Sequence, residues 1–327
     1  MSFLRLRTGQ RAETLRALFP DCTPEERALS AEFYERYSDS RGAAALTPFV
    51  GIRCEPMWRE HSCLPRRDSS RRFSDVHQPG FLELSSLLTQ ALASLFSPSE
   101  TVHVAVSGGI DSWVLAALLQ SLGYRIAAWY LQSNIPGYCE REQVERLSQA
   151  MRIPFCPICV TAADFIDSLP EFVSSTESPI YNLHPVSKYL LAKGLSQRGV
   201  SSIVTGDGAD QVMRHEWDCD LLPLTQACFR SAGVRLIEPF LSDHVRDFCP
   251  EPSPDKRPIR DLAESLGIPS VPKHATFFPP VPLPPRPRAS LSGVLTCSED
   301  RIECLSYTTG LLLQALEDCP QCVESPA

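Results

Sequence analysis

The sequence predicts an α/β protein built on a parallel doubly wound sheet with a small N-terminal appendage, and three observations carry that prediction. Between residues 101 and 204, short apolar runs with strand character alternate with segments of helical periodicity. The first of those runs ends in a glycine-containing turn that opens directly into a helix. The chain has 327 residues, 43% hydrophobic and 21% charged, so it is long and apolar enough to bury a substantial core. Strand and helix in alternation imply parallel strands joined by crossover helices.

Residues 1–80 read as an appendage, partly helical around ERALSAEFYERY (26–37) and ending in an Arg/Ser-rich linker, LPRRDSSRRF (64–73). The spacing of FLELSSLLTQALASLF (81–96) predicts an amphipathic helix. Then follow VHVAV (102–106) as a buried strand, IDSWVLAALLQSL (110–122) as a helix and RIAAWYL (125–131) as a strand. EREQVERLSQAM (140–151) continues as a helix, FCPICV (155–160) as a short strand, HPVSKYLLAKGLSQR (184–198) as a helix and SSIVTG (201–206) as a strand. Residues 81–282 form the expected main domain. Residues 283–327 hold the end of a connector with six prolines between Pro279 and Pro287, then a helix over 299–318.

The net charge is −8, which disfavours a nucleic-acid binder that works by overall charge. No stretch approaches the length of apolar sequence that a membrane helix needs, and the first residues carry positive charge with no apolar run behind them. A cytoplasmic location with no membrane partner is expected. Thirteen cysteines are read as reduced and mostly buried thiols. Lysine is scarce: Lys188, Lys193, Lys256 and Lys273 are all there are, so a lysine inside a motif stands out.

The chemistry concentrates in SGGIDS, Ser107 to Ser112, immediately after the first strand of the domain. Two glycines let the backbone approach a ligand closely, and the helix that follows points free N–H groups and a partial positive charge outward. The two serines add hydroxyl donors. Asp111 in the midst of an anion cradle makes sense if a divalent cation bridges it to a polyphosphate, which points to Mg²⁺ with a nucleotide.

At these residues the chain resembles the PP-loop ATP pyrophosphatases, whose fold is adenine nucleotide alpha hydrolase-like. Three further segments resemble the synthetase domain of asparagine synthetases: TGDGADQ (205–211), RLIEPFLSDHVRDF (235–248) and KRPIRDLAESLGIPSVPKHATFFPP (256–280). The resemblance runs from about residue 85 to 282, and four motifs in order are far more specific than any one. It implies an AMP-forming ligase that uses ATP and Mg²⁺ to adenylate a small-molecule or peptide carboxylate and then joins it to ammonia or an amine. On the same resemblance, Ser107, Gly108, Gly109 and Ser112 hold pyrophosphate oxygens, Asp111 holds Mg²⁺ and Lys273 offsets charge building at the α-phosphate. Gly206, Asp207, Gly208 and Asp210 face the same cleft, although a glycine-flanked Asp equally suits a turn and helix cap.

The departures are as informative. In the segment STESPIYNLHPVSKYLL (175–191), where relatives carry a carboxylate base and a second metal aspartate, Glu177 is the one carboxylate and Asn182 stands in place of Asp. Gln211 replaces the usual Glu, and Ser242 the usual Asp. A PP-loop tRNA-modifying enzyme and a weakened asparagine-synthetase-like partner module are the alternative readings. CPIC (156–159) and CPQC (319–322) have metal-ligand spacing, against the simpler reading as structural thiols. His184 and His274 flank motif segments and are read as structural. Glutamine-dependent relatives begin with a nucleophilic cysteine, whereas this sequence reads Met-Ser-Phe and has its first cysteine at Cys22. The expected nitrogen source is therefore ammonia, an amine, or ammonia from a separate protein.

Overall fold

The computed structural model describes residues 2–38, 47–55, 80–93, 95–97, 100–214, 221–246, 248, 252–270, 279–285, 287–291 and 299–318. Two sheets organise the described residues. Strands β1 (Ser2–Arg5), β2 (Arg11–Ala12) and β3 (Ile52–Glu55) form an antiparallel sheet in the order β2-β1-β3. Strands β4 (Thr101–Ala105), β5 (Arg125–Ser133), β6 (Phe155–Val160), β7 (Ser202–Val204) and β8 (Arg235–Ile237) form a second sheet in the order β6-β5-β4-β7-β8. Every pairing in the second sheet is parallel. Crossover helices are what parallel pairing demands, and the alternation seen in the sequence provides them.

On one face, the Ile110–Ser121 helix is buried from Ser112 to Leu119 between the sheet and the helices Phe81–Ala93 and Arg257–Ser265. The amphipathic pattern of Phe81–Ala93 accounts for its place: Leu84, Leu88, Ala91 and Leu92 share one side and are buried, while Leu82 lies outside. On the other face pack the helices Leu169–Thr176, His184–Ser196, Leu221–Ser231 and Glu299–Glu317. β6 is the edge strand, which is where Pro157 can be tolerated, because proline has no N–H to donate and an edge strand has a ladder on one side only.

The expected strands and helices of residues 101–204 are observed within two residues of their predicted ends, and the last helix spans Glu299–Glu317. Several elements were not expected. The short helices Ala162–Asp167 and Leu169–Thr176 fill the interval before His184, and β8 is three residues long. The appendage, expected to be partly helical, has short helices at Leu15–Leu18 and Ala31–Ser38 beside a three-stranded sheet that was not expected. The linker at 64–73 lies outside the described residues. The connector is no loose strap: Ala289 donates its amide to the Ser306 carbonyl, and Pro287 and Arg288 press so closely on Gly310 that a Cβ there would lie 3.0 Å from their backbone.

The appendage is fastened by charge as well as by apolar packing. Leu15, Leu18, Phe19 and Phe49 share a core with Leu169, Phe172 and Val173. Within the appendage, Arg5 makes a two-pronged pair with Glu26, Nε to Oε1 at 3.1 Å and Nη2 to Oε2 at 2.8 Å, and the Thr23 amide donates to Oε2 at 2.8 Å. These donors hold the Glu26 carboxyl down at about 2, against an ordinary value of 4.5. A depressed folded value means that the stabilisation is present above the unfolded value and is lost as pH falls towards the folded one. The stability difference between wild type and Glu26→Gln should therefore be full above pH 4.5 and shrink to nothing as pH approaches 2, which denaturant melts across that range read directly. A difference that persists unchanged at the acid end would contradict the assignment.

Candidate active site

The strand order places a topological switch point between β4 and β7. The chain winds outward from β4 through β5 to β6 on one side, then returns to continue through β7 and β8 on the other. Loops leaving the C-terminal ends of β4 and β7 diverge over this point, and such crevices are where open α/β sheets bind ligands. Those two loops are SGGIDS and TGDGADQ.

The SGGIDS turn is shaped by its own hydrogen bonds. The indole Nε1 of Trp113 donates to the Ser107 carbonyl at 2.8 Å, and the Gly109 amide donates to Ser107 Oγ at 3.2 Å. The Ser107 amide donates to Ser112 Oγ at 3.4 Å. Gly109, in extended conformation, is the N-cap of the Ile110–Ser121 helix and supplies no side-chain acceptor to its first amides. A buried helix start lacking a side-chain cap presents donors suited to an anion. The Gly108 amide donates to Glu140 Oε2 at 3.1 Å, so a carboxylate already sits against the cradle.

The second loop reaches the first through Gly206. A Cβ there would lie 2.9 Å from the Ser112 nitrogen and 3.1 Å from both the Asp111 carbonyl carbon and Cβ. Gly208 has φ +96°, and a side chain on it would strike Leu241 at 2.6 Å. Both glycines of TGDGADQ are thus required by geometry, one for close approach and one for backbone conformation.

Two lysines bind the cluster together. Lys256 Nζ lies 2.8 Å from Asp111 Oδ2 and 2.9 Å from Asp210 Oδ1, joining the two loops through one cation. Its own backbone is left-handed, φ 53°, a conformation that costs a non-glycine residue about 1 kcal/mol. Lys188, on the His184–Ser196 helix, holds both oxygens of Asp207 at 2.9 Å. Beyond Asp207, at the end of β8, Glu238 accepts from Gln226 Nε2 at 2.9 Å. Burial and the neighbouring Asp207 push the Glu238 carboxyl up to about 7.

Residues 83–261, more than half of the chain, match the asparagine synthase family model. The chain belongs to the asparagine synthase family. Candidate glutamine-hydrolysing asparagine synthetases of Mycobacterium tuberculosis and Mycobacterium bovis are 26% identical to it over 149 residues, 46% of this chain. The match spans about a quarter of the length of those relatives, 23%. A tRNA-5-methyluridine(54) 2-sulfurtransferase of Pyrococcus horikoshii is 28% identical over 116 residues, covering 36% of this chain and 37% of that protein.

Within this asparagine synthase fold, Asp111, Gly206, Asp210 and the SGGIDS turn lie together, with Asp207 on the same loop as Gly206 and Asp210. Glu177 does not join them. It ends the Leu169–Thr176 helix in a left-handed conformation, and its carboxylate accepts from the amides of Leu15 and Arg16 at the start of an appendage helix. Its oxygens are engaged there, so the expectation of a base at Glu177 gives way to that of an anchor. Asn182 is likewise turned to structure, its Oδ1 accepting from the His184 amide at 2.8 Å. Ser242 Oγ donates to the Pro239 carbonyl at 2.7 Å, closing a local turn. His184 Nδ1 shares a hydrogen bond with the Tyr138 hydroxyl at 2.9 Å, in keeping with a structural histidine. Cys156 and Cys159 are exposed on the edge strand as free thiols, while Cys319, Cys322, His274 and Lys273 lie outside the described residues. Among the described residues, no group of three or more His, Cys, Asp or Glu side chains could hold a metal ion.

Sequence reading passed over Lys256 and Glu238 although it quoted the motifs that contain both. The signal for Lys256 was present, as one of only four lysines, at the head of a motif segment. Gly206→Ala should drive the two loops apart, because its nearest neighbour is backbone that cannot swing aside. The expected result is at least a tenfold loss of ATP affinity, about 1.4 kcal/mol, in calorimetric titration. Unchanged affinity would show that contact between the loops is dispensable for the nucleotide.

Proposed function

We propose that the protein uses MgATP to adenylate a carboxylate, releasing pyrophosphate, and then transfers the acyl group to ammonia or an amine with release of AMP. The observation that carries this reading is the SGGIDS turn at the switch point, with Asp111 tied through Lys256 to Asp210 of the second loop. Family membership supports ATP as the nucleotide. The carboxylate is proposed to be a small molecule or a peptide. Nothing in the cleft requires aspartate, since the segment around Asn182 departs from the family pattern.

The donor set fits Mg²⁺ with a polyphosphate. One aspartate oxygen with serine hydroxyls and backbone amides is a poor all-protein metal cage, but Mg²⁺ is ordinarily held by one or two carboxylates together with phosphate oxygens and water. Asp111 would supply the carboxylate. Bound there, the ion would neutralise charge on the phosphates and polarise them. The chain's own groups do the rest. Ser107, Gly108, Gly109 and Ser112 would grip pyrophosphate oxygens, after the Gly108 amide exchanges Glu140 for phosphate. Lys256 would offer its ammonium to the same charge, and Lys273 would offset charge at the α-phosphate and the reacting carbonyl.

A second reading keeps the first half-reaction and changes the acceptor. Alongside the archaeal sulfurtransferase, a cytoplasmic tRNA 2-thiolation protein 1 of Aspergillus niger is similar to this chain, 30% identical over 131 residues that cover 36% of this chain and 38% of that protein. On that reading an RNA base would be adenylated. The net charge of −8 favours the small acceptor.

With its carboxylate present, the protein should convert ATP to AMP and pyrophosphate, and chromatography of the products decides this: ADP as the main product would refute the proposal. Asp111→Asn should lower pyrophosphate exchange on the order of a hundredfold or more while leaving the melting temperature close to that of wild type. A loss of melting temperature comparable to that of a core truncation would assign Asp111 to structure instead.

A further inference from the structure

The region beyond Asp207 holds polar groups that nucleotide binding does not use. Glu238 stands at the C-terminal end of β8, and the Thr205 amide pairs with the Ile237 carbonyl at 3.0 Å, so Thr205 and Glu238 adjoin across the strand ends. Gln226, which donates to Glu238 Oε2, is on the Leu221–Ser231 helix, and Thr225 precedes it. Thr205 is 2% exposed and Thr225 1%. Glu238 Oε1, Thr205 Oγ1 and Thr225 Oγ1 are all sealed from solvent, and none has a hydrogen-bond partner among the described residues. A buried carboxylate oxygen without a donor is costly, the more so when the group is charged. Glu238 Oε1 and Thr205 Oγ1, on adjoining strand ends, mark a place that a ligand rich in donors would complete, and Thr225 Oγ1 is in the same condition on the helix that packs against β8.

We propose that Glu238, with Thr205 and Thr225, receives the nitrogen nucleophile as an ammonium ion or protonated primary amine. The inference rests on the amide-forming reading above and deepens it by placing the amine. An ammonium offers several N–H donors and no acceptor, the complement of a carboxylate and hydroxyls. Its charge suits the site: Lys188 is paired with Asp207, and among the described residues no ion pair reaches Glu238. The groups that act on Glu238 are Asp207 from the β7 loop, Lys188 from the His184–Ser196 helix and Gln226 from the Leu221–Ser231 helix. Cys228, on that last helix, stays neutral because burial pushes its thiol up. Bound ammonium has no lone pair, so it first gives one proton to the Glu238 carboxylate; the neutral amine then attacks the acyl-adenylate, a C–N bond forms and the C–O bond to AMP breaks. AMP leaves with the bonding pair, and the second proton shed by nitrogen leaves with the AMP phosphate.

The test needs neither ATP nor a known carboxylate, so it stands apart from the product analysis that tests the amide-forming reading. The full chain is labelled with 13C at glutamate side-chain carboxyls, and the Glu238 resonance is the one missing from Glu238→Gln, or from Glu238→Asp should the first variant not fold. In tetramethylammonium chloride this resonance should titrate near neutrality. In ammonium chloride at matched ionic strength its midpoint should move down, because the cation binds the ionised form, by about one pH unit at roughly ten times the dissociation constant. Thr205→Val should diminish that shift. A midpoint in the ordinary glutamate range, the same midpoint in both salts, or a full shift that survives Thr205→Val together with Thr225→Val would overturn the proposal.

Discussion

The approach of Gly206 to the backbone of Asp111 and Ser112 is the constraint on which the rest of the cleft depends. Parallel strands leave their loops at one edge of the sheet, and the switch between β4 and β7 turns two of those loops towards each other. Only a residue without a Cβ lets them meet at van der Waals distance. That contact brings Asp111 and Asp210 within reach of a single lysine. Had the loops stood further apart, Lys256 could pair with one of them but could not bridge both.

Electrostatics then follows from packing. Asp111, Asp207, Asp210 and Glu238 occupy a restricted region, and two lysines answer them together with Arg214 at Asp210. Lys256 is buried and held in a strained backbone conformation, so its ammonium is placed rather than free to search. Lys188 projects from a helix whose other residues are largely core, which fixes it against Asp207. The three aspartates are met by the two ammonium groups and, at Asp210, by the Arg214 guanidinium, whereas Glu238 is left to burial and to the neighbouring Asp207, and its affinity for a proton rises accordingly. A polyphosphate adds negative charge to this set, which is why the reading requires a divalent cation as well as the lysines.

How much of this was legible in the sequence depends on the range over which each feature is encoded. The SGGIDS turn is local: strand, glycines and helix start lie within a dozen residues, and its geometry follows from them. The alternation of β4, β5 and β6 with their helices is equally local, and the observed ends fall close to the expected ones. β8 is three residues long, too short for alternation to register, and so no local pattern marks Glu238 at its end. Glu177 illustrates the opposite case. Its place in the sequence suggested a base, but its partners are amides more than 160 residues away, and no local pattern announces such a pairing.

That pairing also bears on what the appendage is. A segment with its own sheet suggests a separable module, yet Leu15, Leu18, Phe19 and Phe49 are buried among side chains of the Leu169–Thr176 helix, and the terminal helix Glu299–Glu317 packs against that helix too. The apolar face beneath β6, β5 and β7 is therefore closed by both ends of the chain. Glu177 adds a directional constraint to this non-directional packing. Two amides at the start of a short helix need an acceptor when buried, and a carboxylate satisfies both while complementing the positive end of that helix. Because Glu177 ends the Leu169–Thr176 helix just ahead of the turn at Asn182, the same segment that secures the appendage sets the start of the helix carrying Lys188. The stretch thus meets both ends of the chain: Glu177 accepts from the appendage amides, and Thr308 of the terminal helix exchanges hydrogen bonds with the Ile180 backbone.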